Sequence, residues 1–158
     1  MAELGSNVGV APLETLKSMS GLEFLRSIAD GRLPAPPIAA MLGFHLAEVS
    51  EGYARFEMTP EFRHYNPIGA VHGGVAATLL DSCMGCAVHT HLPAGTGYTT
   101  LEIKINFVRA LTYQTGLVRA EARTLHVGRR AGTAEGKLFD AKGTLYAHGT
   151  TTCMIFPI

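Results

Sequence analysis

The sequence predicts an α+β domain in which a curled, largely antiparallel sheet of about six strands wraps one long buried helix. Three observations carry this. Two glycines, Gly73 and Gly74, open a run of about twenty residues in which Val75, Ala76, Ala77, Leu79, Leu80, Cys83, Met84, Cys86, Ala87 and Val88 leave almost no solvent face. On both sides of that run the apolar residues recur every second position, as in strands. Short turns join these stretches, which makes neighbouring strands antiparallel, and a helix apolar all round needs a sheet that curls over it.

The 158 residues suffice for one domain with a core that needs neither disulfides nor metal. Thirteen basic residues balance thirteen acidic ones, so overall charge gives no case for nucleic acid or a membrane surface as partner. The three cysteines, Cys83, Cys86 and Cys153, are an odd number in apolar surroundings, which suits a reducing compartment. The start of the chain lacks the apolar stretch of a signal peptide, and Asp81 interrupts the central apolar run, so a cytoplasmic protein is expected.

Two segments are expected: residues 1–35, a flexible start and helical leader, and residues 36–158, the main domain. Residues 1–11 are small and polar and are expected to be disordered. Leu13, Leu16, Leu22, Phe24, Leu25 and Ile28 have helical spacing broken at Gly21, which gives one or two short helices, packed on the domain or serving as a lid. Pro34, Pro36 and Pro37 form a rigid joint before a short helix from Ile38 to Leu42.

From Phe44 the period becomes two, and the turn at Glu51 and Gly52 sets up a hairpin with Ala54, Phe56 and Met58. An irregular loop holds His64, Tyr65 and Asn66, and the long helix then runs to near Pro93 and Gly95. Leu101, Ile103, Ile105 and Phe107 alternate with Thr100, Glu102, Lys104 and Asn106 in a half-buried strand. Three more strands are expected from about Gln114 to Val127, from Ala131 to Phe139, and from Thr144 to Phe156.

The chemistry is sought on the long helix. Thr78, Asp81, Ser82 and Gly85 fall at i, i+3, i+4 and i+7 and so form one narrow small or polar stripe. The first N–H groups of a helix lack intrahelical partners and suit an oxygen that gains negative charge, and glycines there let a ligand approach closely. Asn66 can add an amide to the same oxygen. Asp81 lies eight positions beyond Gly73, about 12 Å along the axis, too far for one helix to serve one carbonyl with both groups. If both act on one substrate, two copies of the helix must face each other across a homodimer.

Asn66-Pro67-x-Gly69-x-x-His72-Gly73-Gly74, the acid Asp81, Thr100 on the next strand, Gly128-Arg129-Arg130 and the run Gly143 to Thr152 resemble the hotdog-fold acyl-CoA thioesterases of the phenylacetate-pathway (PaaI-type) branch. The resemblance covers roughly residues 36–156. It implies hydrolysis of an aromatic or medium-chain acyl-CoA, with the thioester carbonyl held at the Gly73 N–H and assisted by Asn66. A carboxylate matching Asp81 from the neighbouring subunit then activates a water or attacks directly. Thr100 positions that water, although family members often carry serine there and Thr99 stands next to it on the opposite strand face. His72 orients the substrate or the loop. No metal or organic cofactor is implied, and a homodimer, or a dimer of dimers, is.

Plainer readings stand beside these. Asp81 can be a structural carboxylate, His72 a cap, and Asn66 a turn former. Cys83-x-x-Cys86 could suggest redox chemistry or metal, but inside a buried helix it reads as core. Arg129 and Arg130 either grip coenzyme A phosphates or sit on a solvated turn. His64 and Tyr65, with Gly74, are placed at the substrate side, or merely in loop packing. The same fold could also bind acyl-CoA without cleaving it. A hydratase is disfavoured, because the Asp-x(4)-His pattern is absent where position 86 is Cys86.

Overall fold

A computed structural model describes residues 7–158. Residues 1–6 of the stretch expected to be disordered lie outside the described residues. Its second part is paired rather than loose: Val8 bridges Ala35, and the Gly9 N–H donates to the Ala35 carbonyl at 3.0 Å.

Helices α1 (Leu13–Ser18) and α2 (Gly21–Ala29) form the leader. The break between them comes at Met19 and Ser20, not at Gly21, because Ser20 and Glu23 cap α2 reciprocally. Gly21, Leu25 and Ser27 are buried, and the Gly21 N–H donates to the Leu92 carbonyl, so α2 is anchored on the domain. Helix α3 (Pro37–Leu42) has proline in its first turn and ends at Gly43 with φ +72°, where glycine avoids a Cβ clash.

Six strands form one antiparallel sheet: β1 (Phe44–Ser50), β2 (Tyr53–Met58), β3 (Thr96–Phe107), β4 (Val118–Val127), β5 (Ala131–Asp140) and β6 (Leu145–Pro157), in the order β1-β2-β4-β5-β6-β3. Strand β3 starts four residues earlier than the alternation of Thr100 to Phe107 suggests, since Thr96 to Thr99 pair with β6. Strand β4 starts four residues later than Gln114, because residues 113–115 form a 3-10 turn closed by Gly116 at φ +73°. Helices α2 and α3 pack on β1. The outer side of β3 pairs with no strand among the described residues.

The long helix α4 (Gly73–His89) lies across this sheet and is capped at its C-terminal end by Thr90, short of Pro93. Leu79, Leu80, Cys83, Met84, Ala87 and Val88 are buried to 1% exposure or less and form the centre of the core. Two glycines of β5 let the helix come close: a Cβ at Gly132 would stand 2.6 Å from Val88, and one at Gly136 2.9 Å from Met84. The helix is not enclosed on all sides, as its composition suggests. Val75, Ala77, Thr78, Asp81, Ser82 and Cys86 are half-buried, and Gly74 is exposed.

Candidate active site

The open side of α4 carries the stripe picked out by its spacing. Asp81 sits there half-buried, and the Thr100 hydroxyl donates to its Oδ1 at 2.9 Å. Thr99 is exposed and pairs with the outward-facing Met154. The reason is a bulge. The register between β3 and β6 shifts between Thr100 and Glu102, so the extra residue Leu101 reverses the alternation. Thr100, opposite buried Cys153, and Ile103, opposite buried Thr151, therefore both face α4 despite an odd separation.

The start of α4 is built by His72 and the loop before it. His72 is the N-cap, and its Nδ1 accepts from the Gly74 N–H at 2.9 Å. With Nδ1 an acceptor, the proton of the neutral ring belongs on Nε2. The Gly74 N–H is thus already used, whereas the Gly73 N–H meets no acceptor among the described residues. The Asn66 side-chain oxygen accepts from the N–H groups of Ile68 and Ala70, both at 3.1 Å, which closes the loop as an Asx turn. That leaves the Asn66 NH₂ as the donor end. Asn66 and Gly73 line one groove of about 400 Å³ together with Phe107, Arg109 and Leu111.

Not every expected residue reaches this groove. His64 is 4% exposed; its Nδ1 accepts from the Glu61 N–H and its carbonyl from the His72 N–H, so it braces the loop from inside. Burial holds its imidazole below the usual histidine range. Tyr65 accepts from the Tyr113 N–H at 3.0 Å and stacks between Phe62 and Tyr113. Neither lines this groove within one protomer, where both are held by packing inside the loop. Arg129 and Arg130 are exposed at the β4–β5 turn, where Arg129 shares a hollow with His91, Leu92 and Pro93, just past the far end of α4. Within one protomer they lie roughly a helix length, about 25 Å, from Gly73.

The Cys83 thiol donates to the carbonyls of Ala54 and Ala120, and burial pushes both Cys83 and Cys86 upward, Cys86 to about 12. Thiols so placed stay protonated, which is the behaviour of core residues rather than of a redox or metal pair. Sequence reasoning passed over Tyr98, whose ring lies against Gly85 and whose hydroxyl bonds the Cys86 thiol. No local pattern marks it, because simple alternation turns Tyr98, like Thr100, away from α4.

A family model described as the thioesterase superfamily matches residues 68–147. The proofreading thioesterase EntH of Klebsiella pneumoniae is 29% identical over 106 residues, 67% of this chain and 76% of that protein. The 1,4-dihydroxy-2-naphthoyl-CoA hydrolase of Escherichia coli K12 is 26% identical over 134 residues, 85% of this chain and 93% of that protein. A solved phenylacetic acid degradation-related protein of Ralstonia eutropha JMP134 superposes with TM-score 0.75 at 29% identity, covering 83% of this chain and 98% of that one.

Proposed function

The chain belongs to the thioesterase superfamily and is an enzyme of the hotdog fold, and from that premise we propose that it hydrolyses an aromatic or medium-chain acyl-CoA at a site shared by two protomers. The observation that carries the reading is the split on α4: a carboxylate held by Thr100 on the open side, and an unpaired N–H at the helix start, on one element but about 12 Å apart. The named acyl-CoA hydrolase and the phenylacetic acid-related protein among its relatives favour a coenzyme A thioester with an aryl group.

The open edge of β3 supports the dimer. Ile103 and Phe107 face α4 yet are 36% and 56% exposed, and bulged Leu101 is 62% exposed. A second copy set edge to edge would cover them and run the two α4 helices antiparallel. Asp81 of each helix would then face Gly73 of the other, and exposed Arg129 and Arg130 would stand on the partner's side as candidates for the coenzyme A phosphates. Two such dimers could pair into a tetramer.

In this site the thioester carbonyl accepts from the Gly73 N–H and the Asn66 amide of one protomer, with the helix dipole favouring the charge that develops. Asp81 of the other takes a proton from water as the water oxygen bonds to the carbonyl carbon. The tetrahedral centre collapses with cleavage of the C–S bond, and the thiolate takes up the proton. Thr100 holds the carboxylate, and His72 fixes the first turn through Gly74. If Asp81 instead attacks the carbon directly, a mixed anhydride forms and water cleaves it. A single turnover in ¹⁸O-labelled water separates the two, since only the anhydride route can place an enzyme oxygen in the product.

The experiment that tests the reading is thiol release from a panel of aryl and straight-chain acyl-CoAs. Wild type should turn them over, and Asp81→Asn should lose about 10² to 10⁴ in kcat. Undiminished turnover by that variant would refute the assignment. Stoichiometric binding without thiol release by wild type would instead favour an acyl-CoA-binding module.

A further inference from the structure

Residues 64–72 form a small hairpin that carries one proposed oxyanion donor and leads into the other. Tyr65 bridges Val71 antiparallel, the Asn66 N–H donates to the Ala70 carbonyl at 2.7 Å, and the His72 N–H donates to the His64 carbonyl at 2.8 Å. Asn66 sits on the first arm, and the second arm runs through His72 straight into Gly73. The distance between the Asn66 amide and the Gly73 N–H is therefore set by how the two arms are held. The second arm is tied to the domain by buried Val71, whose N–H donates to the Leu111 carbonyl at 2.9 Å. The first arm is held by His64. Its buried ring accepts from the Glu61 N–H at 2.9 Å through Nδ1, and its own N–H donates to the Glu61 carbonyl at 3.0 Å. With Nδ1 an acceptor, the proton belongs on Nε2, which has no hydrogen-bond partner among the described residues, the Leu42 backbone being near but out of line. A side chain present only to fill this space would be apolar, because an unpaired buried donor costs stability. What the imidazole adds is the acceptor that closes the turn at 61–64.

We propose that His64 is a positioning residue for the hydrolysis: its ring fixes the first arm of the hairpin, and so the spacing at which the Asn66 amide and the Gly73 N–H can donate to one carbonyl oxygen. This rests on the hydrolysis reading above, in which both donors serve the same thioester. His64 touches no substrate and acts through the hairpin alone. Charging the ring would put a proton on Nδ1, where the Glu61 N–H already points, and would open the turn. Burial and the Arg63 cation keep the ring neutral into more acid solution than an ordinary histidine, while the Glu61 carboxylate, paired with Arg63 at 2.9 Å, works the other way. On the facing arm, His72 turns its Nδ1 to the Gly74 N–H.

The test compares kcat and KM of His64→Leu and His64→Asn by thiol release, on the acyl-CoA that wild type turns over fastest. Leucine removes the acceptor, whereas asparagine keeps an oxygen close to where Nδ1 stands and cannot be charged. His64→Leu should lose about 10 to 10² in kcat with KM changed less than about twofold, as displacement of donors that act in the transition state requires. His64→Asn should recover most of that loss. A spacing matters only while both donors are present, so in an Asn66→Ala background His64→Leu should cost under about twofold. In wild type both Asp81 and the His64 ring must be in their basic forms, so log kcat should fall toward acid with a slope approaching about two, and His64→Asn should bring it to about one. His64→Asn carries the test through this slope if His64→Leu fails to fold by circular dichroism. Folded His64→Leu with the wild-type kcat, equal losses in the two backgrounds, or the same slope in wild type and His64→Asn would each overturn the proposal. Absence of thiol release by wild type from every acyl-CoA of the panel would sink the hydrolysis reading instead. The coupling would then be read by NMR: a Gly73 amide resonance that follows the His64 titration in wild type but not in His64→Asn upholds it, and one that ignores His64 overturns it.

Discussion

The two sides of α4 are made from one continuous stretch of sequence and do opposite work. On the sheet side, Leu79, Leu80, Cys83, Met84, Ala87 and Val88 have no solvent contact to speak of and hold the fold together. On the other side, Thr78, Asp81 and Ser82 are left half-covered by their own chain, and Asp81 is held by one hydroxyl from β3. The difference teaches that burial and chemistry can be separated by about a hundred degrees of helix rotation. A residue's effect should follow its side, not its place in the sequence.

That separation can be attacked from both directions. On the open side, Gly73→Pro removes the proposed oxyanion donor while suiting the first helical position, since His72 at φ −60°, ψ 132° already has the backbone a following proline requires. Its kcat should fall by about 10² to 10³, with the melting temperature little changed. On the sheet side, Leu80→Ala should cost about 2–5 kcal/mol in denaturant unfolding, while the molecules that remain folded keep their kcat. A large loss of kcat in Leu80→Ala at full folding, or a collapse of stability in Gly73→Pro, would break the distinction.

His89 sharpens it at the helix end. Burial lowers its pKa to about 4, so the unfolded chain takes up a proton near pH 6.5 that the folded chain refuses. Its contribution is whole above pH 6.5 and is lost as pH falls toward 4, on the order of 3 kcal/mol at most. Urea titrations of wild type and His89→Gln across that range should show a smaller acid loss in the variant. The smallest effect expected is that of Thr100→Val, which removes one hydroxyl from Asp81. About a tenfold loss in kcat without loss of stability is predicted, from one hydrogen bond to a charged group.

Much of this was legible in the residues. The long helix announced itself because Val75 to Val88 is apolar apart from the one narrow stripe of Thr78, Asp81 and Ser82, and the hairpin at Glu51–Gly52 because period and turn chemistry agree. The Ser20-x-x-Glu23 box was also readable and marks the α2 start better than Gly21 does. The strand starts were not. Gly97 and Thr99 carry no apolar alternation, and the Gln114 segment owes its form to a glycine turn. Least legible was the bulge at Leu101. Read by simple alternation, Thr99 shares a face with Leu101 and Ile103, and Thr100 points away from α4. A register shift depends on pairing with β6, which no local pattern encodes, and it is what brings Thr100 to Asp81. No helix among the described residues is long and apolar enough to cross a membrane.

The central claim is that one catalytic centre draws on two chains, and mixing two inactive variants tests it most directly. Asp81→Asn and Gly73→Pro protomers, unfolded together in equal amounts and refolded, form hybrids in which one centre carries both defects and the other carries none. Random pairing makes about half the dimers hybrids, so thiol release should recover to about one quarter of the wild-type rate per protomer. Activity that stays at the sum of the two separate variants, in a mixture shown by mass spectrometry to contain hybrids, would contradict the account.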